Sequence, residues 1–410
     1  MVSPNTAPGA LLEDARALLP DLVELRRTLH RRPEVGLQLP ETQAIVVAEL
    51  ERLGLATERG TSLSSVIARI GGTADGAADG PTILLRADMD GLPLNEDSGL
   101  DFASTVEGAM HACGHDTHVT MLLGAARLLL ARRDLLAGRV VLMFQPGEEG
   151  HHGARFMLDE GLLDAPAGGA LPSDAFAIHI STRYPSGTVL LRAGAMLAAN
   201  DTLRIVVRGR GGHASTPHLA LDPIPIAAEI VLGLQTLVGR RVDVFDPAVV
   251  TIAHMAAGTT TNVIPEEALL EGTIRTVSER TRTVVAGAVR QLVAGIVAAH
   301  GAAAEITIVP GYPVTINDAA ATERVTAIAT ELIGADRVVT LDDPVMGAED
   351  FSYVLQRVPG AFAWLGGRPA EVDPATAPQN HSNRVVFDES AMAVGVALYA
   401  GVALRALAPR

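Results

Sequence analysis

Thr82 to Asp90 reads TILLRADMD, a short apolar run that stops on two carboxylates. A run of this length is too short for a buried helix and reads as a strand enclosed on both faces, with Asp88 and Asp90 beyond its carboxyl end. Three other stretches have the same character: Ser65 to Ile70, Arg139 to Phe144 and Ala175 to Ile180. Between them lie stretches of helical spacing, Thr117 to Arg132 and Gly153 to Leu162. Two amphipathic helices, Leu11 to His30 and Glu41 to Leu53, precede the first strand. Strands alternating with helices predict an α/β layer around a largely parallel sheet.

The texture changes near Ala198. Thr202 to Gly209 alternates polar and apolar residues as a half-exposed strand does, Pro223 to Leu237 is helical, and Ala248 to Ala253 and Ala268 to Thr276 are again strand-like. Strands with one wet face backed by helices describe a small α+β domain. After Val309-Pro310 the α/β texture returns, with a helix over Ala319 to Ile333, a strand near Val338 and a last helix from Ser390 to Leu407. The expected organisation is a discontinuous α/β domain, 1–197 and 311–410, interrupted by an α+β insertion, 198–310.

Composition narrows the function. A chain of 410 residues, 48% of them apolar, can bury two cores. Its net charge of −15 argues against nucleic acid or an anionic membrane surface as partner. No stretch reads as a transmembrane run, and the N-terminus lacks the pattern of a signal peptide, so a cytoplasmic protein is expected. The sequence contains no lysine; its 32 basic residues are all arginine. Schiff-base chemistry, P-loop nucleotide binding and a carbamylated-lysine metal bridge are thereby excluded. No glycine pattern of the dinucleotide-binding type opens a helix after a strand.

The chemistry-bearing residues sit where strands end or helices begin. Asp88 and Asp90 follow TILLRA, Cys113 and His115 (MHACGHDTH) precede a helix, Glu148 and Glu149 (QPGEEG) follow VVLMF, and His179 ends AFAI. In open α/β sheets ligands collect at the carboxyl ends of the strands, so these groups can converge. Thiolate, imidazole and carboxylate are zinc ligands, and a thiolate can bridge two ions. Cys113 is the only cysteine, without a redox partner, and reads as a ligand. Against this stand a small buried hydrophobe and a cysteine nucleophile with a histidine base. The last leaves the two glutamates without a task. On an irregular loop their side chains diverge, so Glu149 can bind metal while Glu148 takes a proton from an activated water.

Read in order, RADMDGLP, MHACGHDTH, QPGEEG, AIHI, GRGGHASTPH, TTTNVIP, EGTIR, GAEDFSYVL and NHS resemble the M20 metallopeptidase family, nearest to its amidohydrolases of N-acyl amino acids such as hippurate and auxin-conjugate hydrolases. The resemblance implies a zinc-peptidase-like catalytic domain with an inserted dimerisation or lid domain, and a homodimer or homotetramer formed through it. It implies a dinuclear site of Cys113, His115, Glu149, His179 and His381, with Cys113 bridging, Glu148 as general base and Asp90 orienting a ligand. Asp88 stands where the broader family keeps a metal-binding histidine, a duty passed here to His115. His213, Asn262 and Arg275 match residues of the inserted domain that polarise the scissile carbonyl or hold the substrate carboxylate. Two divalent ions per subunit are expected, zinc first, with manganese, cobalt or nickel as alternatives.

Two stretches depart from the family pattern. His151 and His152 follow GEEG, and Ser181-Thr182-Arg183-Tyr184 follows His179 where relatives often carry Trp-Pro. The paired histidines are expected to be exposed, with a fortuitous metal site as the alternative. A dipeptidase or carboxypeptidase could use the same constellation, and a binding protein without turnover is the rival from another class.

Overall fold

The computed structural model describes residues 8–164 and 171–409, so the first seven residues of the N-terminal stretch lie outside the described part. The chain divides into two compact units: Met1–Gly194, Ile316–Asp342 and Asp350–Arg410 form the first, Ala195–Thr315 and Asp343–Glu349 the second. Segment 343–349 thus groups with the second unit, although no change of texture in the sequence marks it.

In the first unit the chain runs α1 (Pro8–His30), α2 (Pro40–Arg52), β1 (Thr57–Arg59), β2 (Val66–Gly71), β3 (Thr82–Asp88), α3 (His115–Leu130), β4 (Arg139–Gln145), α4 (Gly153–Asp159), β5 (Pro172–Pro185) and β6 (Val189–Leu191). The short strand β7 (Gly194–Leu197) leads out of it. The second unit contains β8 (Ala199–Arg208), β9 (Gly212–His213), α5 (Pro223–Arg241), β10 (Ala248–Ala257), β11 (Val263–Ile264), β12 (Glu267–Thr276), α6 (Glu279–Ala299) and β13 (Ala303–Pro310). After β14 (Thr315–Asn317) the first unit resumes with α7 (Ala319–Ile333), β15 (Val338–Thr340), α8 (Ser352–Leu355), β16 (Gly360–Arg368) and α9 (Met392–Ala406).

The large sheet has the order β1-β2-β4-β3-β5-β16-β6-β15. Its centre, β4-β3-β5-β16, is parallel, as is β6-β15, while β1-β2, β2-β4 and β16-β6 are antiparallel. Every residue of β3 is buried, as a strand covered on both faces requires. Helices α1, α3, α7 and α9 pack against one another, burying Leu22, Leu122, Leu129, Ile328 and Leu398. β3 and β5 remain paired as far as Arg86 and Ala177. Where their pairing ends, Tyr399 of α9 donates its hydroxyl to the Arg86 carbonyl at 2.6 Å and accepts the Ile178 N–H at 3.1 Å. Beyond this plug come Asp88 and Asp90 at the end of β3 and His179 on β5.

The second unit is an antiparallel sheet in the order β10-β12-β8-β13. Leu203, Ile205 and Val207 on alternate positions of β8 bury against Ile230 and Leu234 of α5 and Val289 and Val293 of α6. This is the period-2 strand pattern meeting the helical one. β9 and β11 form a separate two-stranded ribbon.

Among the described residues two helices are, by length and composition, apolar enough to cross a membrane, Glu279–Ala299 and Glu389–Ala406. The second is largely buried in the core of the first unit. The first carries Arg280, Arg282 and Arg290, and lays Val285, Val289 and Val293 on its sheet.

Candidate metal centre

The loop before α3 turns sharply so that Cys113 and His115 follow one another into the crevice. Gly114 makes this possible: its φ is +91°, and a Cβ there would stand 2.5 Å from Ile180 Cγ2. Only glycine adopts that conformation without steric cost and leaves room for β5. Cys113 is buried, with Sγ 3.2 Å from His179 Nε2 and 3.3 Å from His381 Nε2. His381 Nε2 also lies 3.3 Å from Glu149 Oε1, and His115 Nε2 lies 3.9 Å from the same oxygen. Two overlapping groups with donor atoms within 4.8 Å of one another result: Cys113, His115 and His179, and Cys113, Glu149 and His381. They share the sulfur.

Hydrogen bonds fix the tautomers. His179 Nδ1 lies 2.7 Å from the Ile180 carbonyl, which only accepts, so Nδ1 carries the proton and Nε2 turns a lone pair toward Cys113. Burial pushes His179 well below its usual pKa and keeps it neutral. His118, one helical turn after His115, accepts the Ile180 N–H on Nε2 at 2.8 Å and donates Nδ1–H to Asp88 at 2.5 Å. Its ring stands 4.7 Å from that of His179.

Asp90 holds the glutamate loop from beneath. Its two oxygens accept the backbone N–H groups of Glu148 and Glu149, each at 3.0 Å, and Oδ1 lies 3.5 Å from His115 Nδ1. Asp88 is engaged by the buried Arg86 guanidinium at 2.8 Å, by His118, and by His115 Nε2 at 3.4 Å. Arg86 also reaches Gln145 at 2.9 Å and Asp350 at 3.2 Å, and Asp350 accepts the Ala154 N–H at the start of α4 at 2.9 Å. The loop carrying both glutamates is therefore braced at each end by a buried carboxylate.

The donor set fits divalent ions. Both ring nitrogens of His115 and Glu149 Oε1 are buried without a hydrogen bond, a costly arrangement that a cation would relieve by taking one imidazole lone pair and the carboxylate oxygen. Burial lowers the His115 pKa, but Asp88, Asp90 and Glu149 outweigh it and push the ring up to about 10. The carboxylate surround thus calls for positive charge at this position. Burial, then Glu149, Glu148 and Asp88, push the Cys113 thiol well above its ordinary value. A bound divalent cation would reverse that balance and favour the thiolate.

The remaining expected residues lie in the second unit. The β9–β11 ribbon pairs His213 with Val263, and the Ala214 N–H donates to the Asn262 carbonyl at 3.0 Å, so His213 and Asn262 are neighbours. Nδ1 of His213 accepts the Ser215 N–H at 3.1 Å, which places the proton of the neutral ring on Nε2 as a donor. Asn262 Oδ1 accepts from Thr260 at 3.1 Å. Arg275, on β12, is half-buried, its contact being the Met346 carbonyl at 3.5 Å. No carboxylate among the described residues forms an ion pair with it.

Of the paired histidines, His151 is exposed, but His152 is half-buried at a φ of +59° with Nδ1 2.9 Å from the Tyr353 hydroxyl. Neither belongs to a candidate metal group among the described residues. The structure adds His118, Arg86 and Asp350 to the residues expected from the sequence. His118 has a legible signal, the i, i+3 spacing from His115 that puts both on one helix face, whereas Arg86 and Asp350 meet across 264 residues.

Residues 84–405 match the peptidase family M20/M25/M40. The chain is 37% identical over 398 residues to the thermostable carboxypeptidase 2 of Saccharolobus solfataricus, covering 96% of this chain and 98% of the relative. It is 37% identical over 384 residues to the N-acetylcysteine deacetylase of Bacillus subtilis, covering 93% and 96%. The crystal structure of the Bacillus subtilis YXEP protein, described as a dinuclear metal-binding peptidase of the M20 family, superposes with a TM-score of 0.81 at 34% identity, covering 96% of this chain and 99% of that one. With this match along most of its length and a crevice of imidazoles, carboxylates and one thiol at its strand ends, the chain belongs to the M20/M25/M40 peptidase family.

Proposed function

We propose that this chain, a metal-dependent hydrolase of amide bonds, cleaves N-acyl amino acids into a carboxylic acid and a free amino acid. The observation that carries the reading is the neighbourhood of Glu148: it is buried and has a carboxylate oxygen within 4.8 Å of donor atoms of His115 and Glu149. Cys113, His115, Glu149, His179 and His381 would hold two divalent ions, with Cys113 between them. Thiolate and imidazole ligation favours zinc, and manganese, cobalt or nickel suit the same donors. When bound, such a pair lowers the pKa of a water toward neutrality and polarises a carbonyl.

The chain's own residues supply the rest. Glu148 accepts the proton of the attacking water and passes it to the departing amide nitrogen, so that acid and amine leave with atoms balanced. Asp90, by holding both backbone N–H groups of the glutamate loop, keeps Glu148 and Glu149 in place. His213 offers Nε2–H, and Asn262 its amide, to the carbonyl oxygen as negative charge develops there. Arg275, a half-buried guanidinium without an acidic partner among the described residues, is suited to the carboxylate of the amino-acid half. A homodimer or homotetramer built through the second unit is consistent with the exposed edge strand β10, which presents Val249 and Met255.

A carboxypeptidase reading draws on the Saccharolobus relative and uses the same groups on a peptide. The N-acyl reading draws on the deacetylase. The test of the mechanism is Glu148→Gln, which should retain both metal ions and lose most turnover. Near-normal turnover in that variant removes Glu148 as the base.

A further inference from the structure

The segment between β16 and α9 contains neither helix nor regular strand from Pro369 to Asp388, yet it delivers His381. That residue has a φ of +71°, one of two non-glycine residues in the left-handed region among those described, and its side chain is 55% exposed. Val385 and Phe387 bury the far end of the segment in the core, but exposed His381 takes no position from that packing. A left-handed histidine persists only where neighbouring bonds over-determine the backbone.

Those bonds converge on Asn380. Its amide nitrogen donates to the Cys113 carbonyl at 3.0 Å and to the Ile180 carbonyl at 2.9 Å, using both of its hydrogens. Its oxygen accepts the Thr182 N–H at 3.3 Å. Thr182 Oγ1 in turn donates to the Pro378 carbonyl at 2.8 Å, and the His381 N–H donates to the Ala112 carbonyl at 2.9 Å. One side chain therefore ties together the loop of Cys113, the part of β5 that follows His179, and the segment of His381. These are three of the five ligands, drawn from positions far apart in sequence.

We propose that Asn380 is a positioning residue for the metal centre, setting the affinity of the ion held by Cys113, Glu149 and His381. The inference rests on the ligand set proposed above. The carbonyls it fixes belong to the backbone beside two ligands, so its loss frees His381 to leave the crevice while His115 and His179, held on α3 and β5, remain.

The test is metal binding to the chelated full-length protein, measured with zinc against a chromophoric chelator, for the wild type, Asn380→Ala, Asn380→Ser and His381→Ala. Asn380→Ala is expected to weaken one of two ions by about 10- to 100-fold, the range for loss of a group that orients a ligand. The other ion should bind as before, and thermal unfolding of the metal-free protein should change little. Asn380→Ser, which keeps one donor, should fall between, and His381→Ala should lose the same ion. A wild type that binds two ions, with either Asn380 variant binding both as tightly, overturns this inference and leaves the ligand set standing. Equal weakening of both ions also overturns it, since a merely structural residue would act on the whole centre. A wild type that binds no pair of ions overturns the ligand set itself, and the inference with it.

Discussion

Replacing Asp90 by Asn keeps the size of the side chain and removes its charge. Each Asp90 oxygen now accepts one backbone N–H, from Glu148 and from Glu149, at 3.0 Å. In the variant one of those oxygens becomes an NH2 group facing an N–H, so one buried donor loses its partner and the other loses the charge on its acceptor. A hydrogen bond to a charged group contributes about 1.5–3 kcal/mol, and that free energy corresponds to roughly 10- to 150-fold in an equilibrium constant. The cost falls on the loop conformation that presents Glu149 and Glu148 together. Asp90 Oδ1 also lies 3.5 Å from His115 Nδ1, so the variant removes negative charge beside that imidazole as well. Metal affinity of Asp90→Asn, read by chelator competition, should fall within that range. Turnover at saturating metal should fall too, because Glu148 is displaced with its neighbour. Wild-type affinity and turnover in a folded Asp90→Asn protein would refute the argument that this carboxylate fixes the loop.

Three further outcomes follow from buried groups. Burial pushes His111 down to about 3, and both its ring nitrogens lack hydrogen bonds. Between pH 6.5 and about 3 the unfolded chain binds a proton that the native state refuses, so stability falls as pH falls, by about 1.4 kcal/mol per pH unit. Urea unfolding of metal-free His111→Gln should therefore show a shallower loss between pH 6 and pH 5 by about that slope, and parallel curves would exclude it. His30 acts in the opposite sense: Asp116 and Glu96 outweigh burial and raise its pKa, so its contribution is present below its unfolded value and lost as pH rises through the folded one. Gly114→Ala forces a left-handed alanine against Ile180 and should destabilise the protein by about 1–3 kcal/mol in urea unfolding. An unchanged midpoint would mean that the loop relaxes freely.

The central strands were legible because burial on both faces leaves a continuous apolar run, as in β3 and β4. The chemistry was legible for a related reason: Asp88, Asp90, Glu148, Glu149 and His179 all fall at or just past the ends of such runs. β16 is not legible in the sequence, since GAFAWLGGR mixes glycines with apolar residues, and Gly360 and Gly366 fit where a Cβ would strike the carbonyls of Ala175 and Pro185. Buried Arg86 gives no local sign, because arginine is ordinarily exposed and its partners Gln145 and Asp350 come from distant segments. His381 lies on irregular backbone without periodicity, so only family resemblance pointed to it. Asn380 beside it becomes meaningful only when the carbonyls of Cys113 and Ile180 are seen to converge on its amide.

The claim that matters most is metal-dependent hydrolysis of N-acyl amino acids. Its most direct test is a mass-spectrometric turnover assay of the chelated protein on a mixed library of N-acetyl, N-benzoyl and longer N-acyl amino acids and dipeptides, with and without zinc, manganese or cobalt. The account predicts no release from the chelated protein and metal-restored release of acid and amino acid from N-acyl conjugates in preference to dipeptides. Turnover that survives chelation, or substrates left unchanged by a folded, metal-loaded protein, would contradict it.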